Sequence, residues 1–95
     1  MSFKLQFHVA ALEEWRRLGG GVREQLKKKL AERLQNPRVP SAALHGMADC
    51  YKIKLRSAGL RLIYRVDDGV LTVFVLALGK RERNQVYAVA QRRLG

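Results

Sequence analysis

Cysteine is nearly absent. Cys50 stands alone among 95 residues, so no disulfide can close within the chain. Histidine is almost as scarce: His8 and His45 lie far apart, neither adjoins Cys50, and no spacing resembles a zinc site. Carboxylates are few, with 8 Asp plus Glu against 19 Lys plus Arg. Asp67 and Asp68 share a turn signal and Asp49 stands apart, which argues against a two-metal nuclease cluster. The reading therefore calls for no metal and no cofactor. Gly19-Gly20-Gly21 lacks the Lys-Ser/Thr of a nucleotide-binding loop and reads as a helix break. There is no long apolar run: the longest, Val70 to Leu78, is too short to span a bilayer as a helix and reads as a buried strand. The N-terminus alternates without the apolar core of a signal peptide, which leads us to expect the chain in the cytoplasm.

What is abundant is positive charge. The formal net charge is +11, while 47% of residues are hydrophobic. That combination predicts one folded domain over 1–95, attracted to polyanions such as nucleic acid or an acidic protein.

Periodicity divides the domain. Phe3, Leu5 and Phe7 alternate with Lys4 and Gln6, as in a strand. From Val9 the period becomes helical, with Leu12, Trp15 and Leu18 on one side, and Gly19 to Gly21 closes that helix. A second helix places Val22, Leu26, Leu30 and Leu34 on an apolar stripe, and Asn36-Pro37 ends it. Residues 37 to 49 connect to a β-hairpin over Cys50–Val66. Asp67-Asp68-Gly69 is a turn signal before a third long strand, Val70 to Leu78, which Gly79 breaks. A last helix is expected from near Glu82, with Val86, Val89 and Ala90 as a thin apolar side; we expect it to be the least firmly attached element. The fold class is α+β: an N-terminal strand, a helical hairpin packed on a mainly antiparallel sheet of about four strands, and a C-terminal helix.

The hairpin carries the chemistry. Tyr51, Ile53 and Leu55 alternate with Lys52, Lys54 and Arg56, and the second arm places Arg61 and Arg65 on one side. A two-residue turn at Ala58-Gly59 would set Arg56 opposite Arg61 and Lys52 opposite Arg65. One face would then hold Lys52, Lys54, Arg56, Arg61 and Arg65 without a carboxylate. Like charges opposed across strands are destabilising, so such a face is suited to holding an anion. Arginine forks onto phosphate oxygens, and a lysine crowded by like charges becomes a better proton acceptor. Arg61 and Arg81 would stabilise a phosphate, Lys52 and Lys54 would move protons, and Tyr87 would stack on or orient a base. With RNA as substrate the nucleophile can be its own 2′-hydroxyl, giving a 2′,3′-cyclic phosphate and a 5′-hydroxyl. On charge alone, a basic nucleic-acid-binding domain without catalysis fits equally well.

Several runs carry a family resemblance. Leu12-x-Glu14-Trp15-Arg16-x-Leu18-Gly19, Val22 to Leu30, Cys50 to Ser57, and Gly79-Lys80-Arg81-Glu82-Arg83 followed by Tyr87 closely resemble the RelE family of type II toxin–antitoxin toxins, over essentially the whole chain. The resemblance implies a metal-independent, ribosome-dependent mRNA endonuclease that cuts codons in the A site and inhibits translation. It implies Lys52, Lys54, Arg61, Arg81 and Tyr87 as the catalytic set. It implies RNA contacts by Arg56, Arg65, Lys80, Arg83, Lys27, Lys28, Arg23 and His45, the last standing where a close relative has arginine. Leu60 replaces a tyrosine common before the Arg61 position. The implied partners are a RelB-like antitoxin, the 70S ribosome with its 16S rRNA, mRNA, and operator DNA through the antitoxin complex. The alternative within the same fold is a ParE-like toxin that inhibits DNA gyrase and lacks this set of cations and tyrosine.

Overall fold

The computed structural model describes residues 2–80, 82 and 85–94. In chain order, β1 is Lys4–Phe7, α1 Val9–Arg16, α2 Gly20–Gln35, β2 Cys50–Leu55, β3 Leu60–Asp67, β4 Thr72–Lys80 and α3 Gln85–Leu94. One sheet has the order β1-β4-β3-β2, with β1 parallel to β4 and the other pairs antiparallel. The α+β architecture expected from periodicity is the one present.

The α1–α2 junction is tighter than the glycine run suggests. His8 caps α1, its Nδ1 accepting from the Ala10 amide at 3.1 Å. Gly19 is the extended N-cap of α2, its carbonyl accepting from the Arg23 amide at 2.9 Å, so Gly20 and Gly21 lie inside α2. They start a helix where a break was expected. The Arg23 guanidinium donates to the Leu18 carbonyl at 3.2 Å, satisfying a group the end of α1 leaves open.

Two layers of core flank the sheet. On one side Ala11, Leu26 and Leu30 meet Ile53, Leu55, Leu62, Tyr64, Val73 and Val75. Trp15 packs at the margin of this layer, its ring 5.4 Å from that of Phe7. On the other side Val86 and Ala90 of α3 meet Met47, Cys50, Ile63, Leu76 and Ala77. Cys50 is buried, and that burial pushes its thiol up from the ordinary value.

β4 explains why its sequence does not alternate. Ile63 pairs with Ala77 and Tyr64 with Val75, so Leu76 is the extra residue of a β-bulge. Both Leu76 and Ala77 therefore join the α3 layer, while Val75 and Leu78 face the other. A strand buried on both faces reads as a continuous apolar run. Its bounds differ from the Val70–Leu78 expected. The Asp67 carboxylate accepts from the Gly69 amide at 2.9 Å and Leu71 takes a φ of 48°, so the turn lasts through Leu71. At the other end Gly79 stays in the strand opposite Arg61 rather than breaking it. Its place in the ladder overrides the weak strand preference of glycine.

A half-buried ion pair fastens α3 across this bulge. Glu14 of α1 accepts from Arg93 Nη1 at 2.9 Å and from the Leu78 amide at 3.1 Å. Arg93 Nη1 also donates to the Leu76 carbonyl at 2.8 Å. β1 pairs with β4 only as far as Val75, and these two side chains supply partners to the Leu76 carbonyl and the Leu78 amide beyond it.

Candidate phosphate-binding site on the β2–β3 hairpin

The hairpin folds with a different turn from the one expected. Arg56–Ala58 form a 3-10 turn closed by Gly59, whose φ is 62°. A two-residue turn of the commonest kind would need positive φ at Ala58 as well, which a residue with a Cβ resists. The register moves by two residues: Lys54 faces Arg61, Lys52 faces Ile63 and Cys50 faces Arg65. An even shift preserves the faces, so Lys52, Lys54 and Arg61 still share one side. Arg56 leaves the strand for the turn, and Arg65 no longer opposes Lys52.

Two depressions form around these cations. Lys54, Leu55, Arg56, Gly59, Leu60 and Arg61 line one of about 280 Å³. Arg33, Ser41, Ala42, Lys52, Lys54 and Arg56 line another of about 240 Å³. Among the described residues no carboxylate lines either, and Lys54 and Arg56 belong to both. Lys80 follows at the end of β4, opposite Leu60 and beside the Arg61–Gly79 pair. It also edges a groove of about 340 Å³ that contains Glu14 and Glu82. That mixed charge makes the groove a poorer seat for a polyanion than the hairpin depressions.

The other expected residues fall in three places. Tyr87 is half-buried against the α3 layer, on the sheet face from which Lys52, Lys54 and Arg61 project. Lys27, Lys28 and His45 are exposed. Lys27 pairs with Glu24 at 3.3 Å. Arg65 sits at the far end of the hairpin, its guanidinium 5.7 Å from the centre of the Phe74 ring, beside a depression shared with Arg38, Asp49, Asp67 and Asp68. The structure does not bring it together with Arg61. Arg23 is partly spent on the end of α1, as above. Arg81 and Arg83 lie outside the described residues.

Two arginines, Arg38 and Arg33, take structural roles that the sequence does not assign to them. Arg38 donates to Asp49 at 3.0 Å, to Asp68 at 3.1 Å and to Tyr51 Oη at 3.3 Å, and these acceptors hold its guanidinium firmly protonated. It ties the α2–β2 connection to the start of β2 and to the β3–β4 turn. Arg33 donates to the Lys52 carbonyl at 2.9 Å and to Tyr64 Oη at 3.0 Å, while Tyr64 Oη donates to the Pro37 carbonyl at 2.6 Å. Nothing local in the sequence separates these arginines from the solvated ones, because their acceptors come from 11 to 31 positions away.

Among the described residues, no group of three or more His, Cys, Asp or Glu side chains is placed to hold a metal ion. What this site can do is bind phosphate oxygens with guanidinium and ammonium groups and exchange protons through lysine.

Comparison with known proteins fits this chemistry. Residues 5–85 match the family model described as the ParE toxin of the type II toxin–antitoxin system parDE, which sets the class: toxins of type II modules. The chain is 56% identical over 94 residues to the mRNA interferase toxin RelE of Escherichia coli K12, covering 99% of both chains. A solved structure of a mutant E. coli RelE toxin in the free state superposes with a TM-score of 0.92 at 54% identity, covering all of both chains. The RelE chain of the intact E. coli RelBE toxin–antitoxin complex matches with a TM-score of 0.83 at 57% identity, over 86% of this chain and all of that one. The chain belongs to the RelE toxin family.

Proposed function

We propose that this chain is the toxin of a type II module and an mRNA interferase: a metal-independent endoribonuclease that cuts mRNA in the ribosomal A site and arrests translation in the cytoplasm. The observation that carries the reading is the cluster of Lys52, Lys54 and Arg61 held on one face by the register Lys54 opposite Arg61, with Arg56 beside it in the turn and no carboxylate lining its depressions among the described residues. The likeness to RelE along the full chain supports it.

The reaction assigned to this site is an in-line transfer. The 2′-hydroxyl of the substrate attacks the adjacent phosphorus, the bond to the 5′-oxygen breaks, and a 2′,3′-cyclic phosphate and a 5′-hydroxyl result. One proton leaves the 2′-oxygen and one reaches the departing 5′-oxygen; Lys52 and Lys54 are assigned those transfers, and Tyr87 is assigned to stack on or orient the base. Arg61 neutralises the charge that builds on the phosphorane oxygens. Arg81 is assigned the same role on the resemblance alone. A RelB-like antitoxin is the partner, and operator DNA is reached through that complex. All of this work falls to one domain spanning 1–95.

Inducing the gene in a bacterial culture tests the class of target. Prompt loss of protein synthesis with mRNA cut inside codons is the expected outcome. Filamentation and DNA damage with intact mRNA would point instead to gyrase, and an unaffected culture to a basic binding domain.

A further inference from the structure

The depression at the open edge of β2 has a property that the catalytic reading does not use. β2 is an edge strand, and its outer side is partly covered by the bridge of Ala43 to Tyr51. Beyond that bridge, Arg33 of α2 reaches across and donates to the Lys52 carbonyl. The same nitrogen, Nη1, bonds Tyr64 Oη, and the guanidinium carbon stands 5.8 Å from the centre of the Tyr64 ring. Arg33 is thus held on three sides: by a strand, by a buried phenol and, through that phenol, by the Pro37 carbonyl. A guanidinium carries five N–H donors, and both bonds to the protein leave from one nitrogen.

We propose that Arg33, with Ser41, Lys52 and Arg56, forms a second phosphate seat that holds the backbone phosphate next to the scissile one. Among the described residues four cations and a hydroxyl line this depression without a carboxylate. A bound anion would relieve the mutual repulsion of these cations. Lys54 and Arg56 also line the depression of Arg61, so the two seats adjoin, as neighbouring phosphates of one strand require. A fixed guanidinium loses little freedom on binding and offers the fork that a phosphate accepts. Naming the ligand an RNA phosphodiester rests on the ribonuclease reading; the seat itself does not.

The test therefore uses inorganic phosphate as well as substrate. Titrating phosphate into the isotope-labelled full chain is expected to move the amides of Ser41 and Ala42 and the Arg33 side-chain N–H signals saturably. Arg33→Met should abolish the shifts at Ser41 and Ala42 while shifts at Gly59 to Arg61 persist. Arg33→Lys should restore part of them. If Arg33→Met does not fold, Arg33→Lys and Arg56→Ala, each expected to weaken the Ser41 and Ala42 shifts, carry the test. On programmed ribosomes Arg33→Met should raise KM by about tenfold, the scale of one charge-assisted hydrogen bond, with kcat within about twofold because binding, not the chemical step, is lost. Absent shifts at Ser41 and Ala42 in the unmodified chain, or shifts that survive Arg33→Met unchanged, would overturn the seat. Phosphate binding as predicted in a protein that never cuts mRNA would uphold the seat and overturn the ribonuclease reading.

Discussion

At the scale of single residues, the basic side chains divide by what they touch. Arg23, Arg33, Arg38 and Arg93 donate to carbonyls, carboxylates or phenols of the chain itself. Lys52, Lys54, Arg56 and Arg61 line depressions that hold no carboxylate among the described residues. Arg61 is the clearest probe of the second group, because it lines the depression from β3. Arg61→Ala should leave the unfolding free energy within about 0.5 kcal/mol of the parent, as for substitutions outside the core. It should lower kcat for mRNA cleavage by roughly a hundredfold or more, the scale of losing one preorganised donor to a charged transition state. Equal loss of stability and activity would instead mark Arg61 as structural. The sequence showed the alternation that puts these cations on one face, since period 2 is local. It could not show which arginines are spent on the fold, since that depends on acceptors distant in the chain.

At the scale of elements, the departures share one cause: backbone geometry that composition does not determine. The hairpin turn takes four residues because Ala58 resists positive φ, and the register follows the turn. The β4 bulge turns Leu76 and Ala77 toward the same side. The helix α3, read from sequence as thinly attached through small apolar residues, is also held by Glu14 and Arg93 across that bulge. Their side chains are 29% and 18% exposed, so the pair is largely shielded from solvent. Glu14→Ala would strand the Leu78 amide and leave Arg93 without its carboxylate. We expect a loss of about 2–3 kcal/mol, in the range for breaking a mostly buried charged contact. Amide exchange over residues 86–94 should quicken more than exchange in β3. Uniform or unchanged exchange would show that apolar packing alone holds α3. If the antitoxin displaces α3, the same amides should lose protection in the complex.

At the scale of the whole molecule, the charge and the fold act together. A sheet covered on both faces supports a hairpin end that collects cations from β2, β3 and their turn, with α2 adding Arg33 at the edge. The net charge of +11 favours association with polyanions, while the register sets Lys54 opposite Arg61. Among the described residues no helix is long and apolar enough to cross a membrane. The measurement that tests this account most directly is mapping of RNA ends after the purified protein meets programmed ribosomes, using mRNA with either ribose or a single 2′-deoxyribose at the cut site. The account predicts 2′,3′-cyclic phosphate and 5′-hydroxyl ends within the A-site codon of the ribose message, and no cut at the deoxy position. Cleavage of the deoxy message at the same bond, or ends bearing a 5′-phosphate, would contradict it.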